Sequence, residues 1–466
     1  MTRVAELQKK YPDLAREVII KWETLRYGIK DSDALYKAGL WRRAAGGFLS
    51  LDHGVTMEEI AKKRPESVRP GYVLLPGVYY MKNGIGSRIE RDPSSPYEIR
   101  EDGPGQFALY EGEEKIVEVY FNNPKHWTDD PEKEPRTSKG TPVTSLVTLL
   151  RRCFQIAPLR YCQYFDLGTQ CKFCNYNSTH DSASAIGGSH RIALDLEDTV
   201  EAYKILSSET RLVEGRYQSG AISNDEKEAN MQIRFVESVS NAASYTPNFC
   251  MSTPPVSRKN MQRLKDAGLT SVGFNLEVWE PQIHAEVCPG KATYRTYEGY
   301  LEAYAQAIDV WGIGNVACNF VGGVSMMPPN GHKSWQESRD SMIEGFGWLI
   351  KTGVFPTFHC LRLGAGSIYG EERSNEAKLP PTEYFLDVGL AHHQFMLDYG
   401  RYYTLNRLMI CPMDCLAHFY AGEIGMLALA GNPANWLANT IPNEYNWMVK
   451  FISSVDQSTR PTVKAQ

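Results

Sequence analysis

Three cysteines fall within thirteen residues, in Arg160-Tyr-Cys162-Gln-Tyr-Phe-Asp-Leu-Gly-Thr-Gln-Cys171-Lys-Phe-Cys174-Asn-Tyr-Asn. Three thiolates on one loop can bind three irons of a four-iron cluster and leave the fourth open to an external ligand. That open iron decides the chemistry: a fully ligated cluster relays electrons, whereas an open one can bind and reduce a small molecule. A structural zinc site is the competing reading, but it wants a fourth nearby Cys or His, and His180 is the local candidate. Unrelated reduced thiols are the third. The chain has ten cysteines, a number that in a protein read as cytoplasmic suits metal or reactive roles better than disulfides.

Other residues carry weaker signals. Cys411-Pro-Met-Asp-Cys415-Leu-Ala-His418 could ligate a second cluster with Cys360, although two cysteines fall short of the ligand count and buried thiols are common. Cys250, Cys288 and Cys318 read as core thiols. His359 and Arg362 could contact substrate or serve structure, with neither reading favoured. No paired carboxylates and no Ser/His/Asp set show diagnostic spacing.

The elements that must position these groups follow from periodicity. Residues 1–65 read as an N-terminal helical region: Leu7, Tyr11, Leu14, Val18, Ile19 and Trp22 recur at helical spacing, and Thr56 with Glu59 forms a capping box. Residues 66–142 read as a small β-rich accessory domain and linker. Short runs such as Val78-Tyr79-Tyr80 and Ile116–Phe121 alternate there with Gly, Pro and Asp clusters, and Asp129–Glu134 is expected to be a solvated linker. Residues 143–375 alternate six strand-like runs with helical ones, the pattern of an α/β, TIM-like barrel, partial or full. Residues 376–466 read as a C-terminal helical extension. On this reading the cysteine loop follows the first barrel strand, at the C-terminal mouth where barrel enzymes keep their chemistry.

The Cys-X-aromatic-Cys ending, with Phe173 between the last two cysteines, resembles the cluster loop of the radical S-adenosylmethionine (radical SAM) superfamily. The usual spacing there is Cys-X3-Cys-X2-Cys, and this sequence has an atypical Cys-X8-Cys-X2-Cys. The resemblance covers about residues 145–370. It implies a [4Fe-4S] cluster on Cys162, Cys171 and Cys174 and S-adenosyl-L-methionine as cofactor, cleaved to a 5′-deoxyadenosyl radical that abstracts hydrogen from substrate. Gly220 resembles the glycine turn facing the methionine amino group, and Ser252 ends the third strand. Asn275 and Glu277 resemble the biotin-synthase-like branch, where such residues contact ribose and methionine; Glu277 could instead cap a helix or pair with a nearby Arg. Asn319 and Gly322 resemble the adenine-contacting strand.

Bulk properties exclude some classes. A net charge of −5 on 466 residues and no basic run disfavour nucleic acid. No stretch approaches the ~18 apolar residues of a membrane span, and the polar N-terminus does not read as a secretory signal. The expected function is a radical SAM oxidoreductase or transferase acting on a small-molecule biosynthetic substrate, supplied by an electron donor such as ferredoxin or flavodoxin. Oxidation or hydroxylation of a methyl group is one outcome, with a tetrapyrrole pigment among the possible substrates. Methyl or sulfur transfer is an alternative, and a non-catalytic iron–sulfur or zinc protein is the competing class.

Overall fold

The computed structural model describes residues 1–43, 57–81, 85–121, 130–150, 153–177, 192–209, 214–243, 248–252, 254–327, 329–364, 366–372, 375 and 378–401. The N-terminal region holds α1 (Arg3–Lys10), α2 (Arg16–Tyr27), α3 (Asp33–Lys37) and α4 (Met57–Lys63). Thr2 caps α1, its hydroxyl accepting from the Ala5 amide at 3.2 Å; Thr56 lies outside the described residues. The accessory strands are β1 (Trp41–Arg43), β2 (Val68–Arg69), β3 (Tyr72–Leu74), β4 (Val78–Tyr80), β5 (Gly86–Arg88), β6 (Tyr97–Gly103), β7 (Gln106–Glu111) and β8 (Glu114–Val119). They form small antiparallel sheets, β1-β3-β2, β4-β5 and the meander β6-β7-β8. The acidic stretch expected to be a solvated linker is in part structural. Glu134 is buried, pairs with Arg43 at 2.9 Å and accepts from the amide and hydroxyl of Thr144 at 2.6 Å each.

The remaining strands are β9 (Thr148–Leu150), β10 (Cys153–Ile156), β11 (Glu214–Gln218), β12 (Asn248–Ser252), β13 (Ser271–Gly273), β14 (Val316–Gly322) and β15 (Phe355–Cys360). Strands β10 to β15 are parallel and adjacent in chain order, with β9 added antiparallel at one edge. The associated helices are α5 (Gln163–Asp166), α6 (Leu196–Glu209), α7 (Asp225–Ala242), α8 (Arg258–Asp266), α9 (Pro281–Val287), α10 (Pro289–Tyr294), α11 (Tyr297–Trp311), α12 (Trp335–Thr352) and α13 (Thr382–Asp398). Sequential parallel strands with intervening helices make the fold α/β, in the order of a partial barrel. Among the described residues no pairing joins β9 to β15, so the sheet stays open.

The period of two along each strand sorts the side chains. On the helix-facing side, Phe154 meets Tyr203 of α6 at 5.0 Å, and Phe320 and Phe358 meet Phe346 of α12 at 5.4 and 5.6 Å. The alternate residues are polar: Gln155 donates to Gln218 at 3.2 Å, and Asn319, Thr357 and His359 share hydrogen bonds across β14 and β15. The inner face therefore offers hydrogen-bonding groups, where a filled barrel would pack Val and Leu.

The N-terminal helices share a core with the sheet. Trp22 of α2 is fully buried and stacks on Phe358 of β15 at 5.2 Å and on Phe385 of α13 at 5.0 Å. Arg362, just past β15, donates to the Thr24 and Arg26 carbonyls at 3.3 and 3.4 Å. It thereby satisfies carbonyls at the C-terminal end of α2, and the cation sits where the helix dipole favours one. That settles a structural task for Arg362.

Candidate functional site

The cysteine loop begins six residues past β10. Arg160, buried, donates to the Ser145 carbonyl at 2.6 Å, and its amide bonds Ile192 at 2.7 Å. The Cys162 amide donates to the Asn177 side chain at 3.1 Å. The extra length of the first gap builds α5, a single turn. It closes with Thr169 N donating to Tyr164 O at 2.8 Å and with Gly168 at φ +64°, a conformation that suits glycine. Cys171 and Cys174 then form a tight turn, the Cys174 amide bonding the Cys171 carbonyl at 2.9 Å.

The segment after β11 is the seat for this loop. Gly220 N donates to Leu159 O and Gln163 N to Ala221 O, both at 3.0 Å. The amide and hydroxyl of Ser223 both donate to the Gln163 side-chain oxygen at 3.0 Å. A Cβ on Gly220 would lie 1.9 Å from Tyr161 O and 2.7 Å from Cys162 N. The glycine expected to leave room for a ligand leaves room instead for the cysteine loop's own backbone.

The opposite wall is the junction of α9 and α10. Lys172 N donates to Val287 O at 2.9 Å, and Gly290 N donates to Thr169 O at 2.8 Å. A Cβ on Gly290 would meet Thr169 O and the Tyr164 ring at 2.6 Å. Two side chains from this junction enter the site. Buried Cys288 shares a small apolar cluster with Cys171. Lys291 pairs with Glu277 at 2.5 Å and donates to Asn275 O at 3.0 Å.

Charge and burial are set against each other here. The neighbouring Cys288 thiol lowers the Cys171 thiol against the effect of burial, and Lys291 adds to the lowering. Burial pushes Cys162 and Cys174 up. Burial also works against the Lys291 charge, but Glu277 and the nearby tyrosine and thiols outweigh it and hold the ammonium well above its usual value. Buried His284, its Nδ1 donating to Leu276 O at 2.9 Å, is lowered by burial to about 4 and is neutral.

Glu277 is the one non-glycine residue with positive φ among those described, at 73°. It is held there by Glu277 N donating to Asn319 O at 3.0 Å and Val321 N donating to Glu277 O at 2.9 Å. Such backbone costs on the order of 1–3 kcal/mol and persists where surroundings over-determine it. The helix-cap alternative is not what the carboxylate does; its partner is a lysine.

Three buried polar atoms beside this pair have no hydrogen-bond partner among the described residues: Tyr164 Oη, Tyr300 Oη and His284 Nε2. Orphaned buried groups are costly and in native sites commonly meet water or a ligand. The donor set accordingly fits the cluster and cofactor that the sequence implies: soft thiols on one pinned loop, a buried cation to offset thiolate charge, and polar atoms left for a polar ligand. Among the described residues no three His, Cys, Asp or Glu side chains lie in single-ion geometry.

The other expected residues divide. Asn275 offers its carbonyl to Lys291, and Asn319 lies beside Glu277, its side chain bonding His359 at 3.1 Å and accepting from Thr357 at 3.0 Å. Gly322 is packed: a Cβ there would meet Phe385 at 2.8 Å and His359 O at 3.2 Å. Ser252 pairs in register with Gln218 and Gly273 through its backbone; its side chain, that of Cys250, and His180, Cys411, Cys415 and His418 lie outside the described residues. Cys318 is a core thiol, accepting from Tyr304 at 2.9 Å, and Cys360 is buried in β15.

Sequence reasoning missed Lys291, Tyr164 and Tyr300; Cys288 is the core thiol expected, in the cluster that also holds Cys171. The available signal was Pro281 and Pro289, each followed by a helical turn, which mark two helix starts between Glu277 and Tyr297.

No family model matches the chain. A stretch of 103 residues is 31% identical to bacteriochlorophyllide c C-7(1)-hydroxylase of Chlorobaculum limnaeum, covering 22% of this chain and 23% of that protein. Among solved structures, the FeFe-hydrogenase maturase HydG from Carboxydothermus hydrogenoformans aligns at TM-score 0.38 and 16% identity, over 53% of this chain and 51% of that one. Methylornithine synthase aligns at 0.37 and 15%, over 55% and 70%. Coproporphyrinogen III oxidase from Escherichia coli, a radical SAM enzyme, aligns at 0.34 and 11%, over 53% and 52%. Similarity of this degree assigns neither substrate nor reaction. Among the described residues no helix is long and apolar enough to cross a membrane.

Proposed function

We propose that this chain is a radical SAM enzyme acting on a small molecule, with Cys162, Cys171 and Cys174 holding a [4Fe-4S] cluster. The observation that carries the reading is the pinned three-cysteine loop facing the buried Lys291–Glu277 pair. When bound, the cluster and S-adenosylmethionine supply one-electron chemistry that removes hydrogen from a carbon lacking an acidic proton. The chain's own groups bind and orient. The Lys291 ammonium suits a carboxylate, and the Glu277 carboxylate suits an ammonium or hydroxyl. Tyr164 and Tyr300 have hydroxyls to spare, and the small apolar cluster around Val278, Val287 and Leu361 keeps water from the thiols. The polar inner face, with Gln155, Gln218, Asn319 and His359, supplies hydrogen bonds to hold a substrate carbon in place.

The finer reading is oxidation of a methyl group, by hydroxylation, on a tetrapyrrole of the bacteriochlorophyllide type. Its support is the 103-residue likeness to the hydroxylase. The test is anaerobic reconstitution with iron and sulfide, then 5′-deoxyadenosine formation from S-adenosylmethionine under dithionite, with each cysteine replaced by Ala in turn. Product that requires all three cysteines supports the enzyme class; a fully loaded protein that never cleaves the cofactor ends it. Turnover confined to aliphatic substrates, with none on bacteriochlorophyllides, refutes the finer reading.

A further inference from the structure

The last two strands alternate in exposure as well as in chemistry. Along β14, Cys318 and Phe320 are fully buried while Asn319 between them is only partly so; along β15, Phe358 is fully buried while Thr357 and His359 on either side are only partly so. These part-buried side chains belong to the inner face, so that wall is not packed over. Asn319 and Thr357 are partners in register. The Thr357 hydroxyl donates to Asn319 Oδ1 at 3.0 Å, and Asn319 Nδ2 lies 3.1 Å from His359 Nδ1. The amide nitrogen can only donate, so Nδ1 accepts and the ring carries its proton on Nε2. The backbone ties this chain to the buried pair, since Glu277 N donates to Asn319 O at 3.0 Å. His284 and His392 show what a structural histidine does in this fold. Both are fully buried, and both donate a ring N–H to a backbone carbonyl, Leu276 O at 2.9 Å and Pro356 O at 2.8 Å. His359 is instead part-buried and tied to a side chain that is itself held.

Resting on the reading of this chain as an enzyme for a tetrapyrrole of the bacteriochlorophyllide type, we infer that His359 is a substrate-contact residue that sets specificity. It donates one hydrogen bond from Nε2 to an uncharged oxygen acceptor of the substrate, such as a ring carbonyl at the edge of the pigment. Thr357 and Asn319 hold the ring for that contact. A neutral donor suits a carbonyl, whereas a carboxylate would call for a cation. A nitrogen that carries a proton has no lone pair for a metal, so His359 meets the rim of the pigment and not a metal at its centre. One directional bond at the rim fixes which peripheral carbon faces the reaction.

The test uses the full-length chain, reconstituted anaerobically with iron and sulfide, as wild type, His359→Phe and His359→Gln. Bacteriochlorophyllide c is the probe, titrated by its absorption, and iron content checks that each variant keeps its fold. His359→Phe should bind the pigment about five- to tenfold more weakly, the fold-change for one net hydrogen bond. His359→Gln, whose amide N–H can stand in for the ring donor, should recover most of that loss. In the nitrogen-15 histidine NMR spectrum of the wild type, the His359 signal, assigned by its loss in His359→Phe, should show the proton on Nε2, with His284 carrying its own on Nδ1. Equal affinity in all three proteins overturns the inference, as does an equal loss in both variants or a wild-type His359 protonated on Nδ1. A wild type that binds none of the pigment refutes the substrate reading and this contact with it; the inference fails alone when the pigment binds and His359 makes no difference.

Discussion

Replacing Gly220 by alanine tests the seat of the cysteine loop. The backbone of Gly220 is not in the left-handed region, so the substitution adds no torsional strain. What it adds is a methyl group 1.9 Å from Tyr161 O, 2.3 Å from Tyr161 C and 2.7 Å from Cys162 N. Ordinary contact begins near 3.4 Å, so the loop must retreat by about 1.5 Å, and none of these backbone atoms can rotate aside. Overpacking of this kind costs about 1–3 kcal/mol. The retreat also stretches the bonds from Gly220 N to Leu159 O and from Gln163 N to Ala221 O, at about 1 kcal/mol each. Gly220→Ala is therefore expected to lose roughly 3–5 kcal/mol in urea unfolding of the cluster-free protein. It should also bind substoichiometric iron, because Cys162 moves while the Cys171–Cys174 turn stays. Gly103→Ala is the control: its Cβ would meet nothing nearer than the flexible Gln106 side chain at 3.4 Å. A Gly220→Ala protein within about 0.5 kcal/mol of wild type, and with full iron, would refute the reasoning.

Trp22→Ala should cost about 3–5 kcal/mol in the same unfolding assay, because the indole is fully buried between Phe358 and Phe385; a loss under about 1 kcal/mol would show that α2 docks by other contacts. Lys291→Met leaves Glu277 buried and unpaired and should lose about 3–5 kcal/mol, with the Lys291→Met/Glu277→Gln double variant recovering part of it; additivity in that cycle would show the pair uncoupled. His392 is buried, donates from Nε2 to Pro356 O at 2.8 Å, and is lowered by burial to about 3 from 6.5. The unfolded chain takes the proton first, so stability should fall as pH drops through that window, by on the order of 4–5 kcal/mol at most. His392→Gln should flatten the dependence of unfolding free energy on pH between 6.5 and 4; an unchanged slope would assign the acid sensitivity elsewhere.

How much of this was legible depends on the range of the interaction. Cys162, Cys171 and Cys174 stand close enough in sequence for their chemistry to show, and alternation was enough to reveal six parallel strands. Strand β6 was missed because Glu98, Arg100, Glu101 and Asp102 interrupt it, and burial at Tyr97 and Ile99 alone gives it away. The role of Gly220 could not be read locally: its partner, the Tyr161 carbonyl, lies 59 residues away in sequence and is a backbone atom without side-chain signature. Lys291, beside Pro289 and Gly290, carries no local signal, and only the fold sets it against Glu277. Arg362 had two readings until α2 supplied the carbonyls that it caps.

The stack of Trp22 on Phe358 also has a consequence in time. The two rings are 336 residues apart in the sequence. At about 5–20 residues per second on the ribosome, the indole waits roughly 17–67 s before its partner emerges. Phe385 comes later still. For that interval α2 carries a buried-type surface, including Val18, Ile19 and Trp22, with its final cover not yet made. Helix α2 is thus synthesised long before it can find its place, and nascent chains of this protein should be clients for chaperones at that helix.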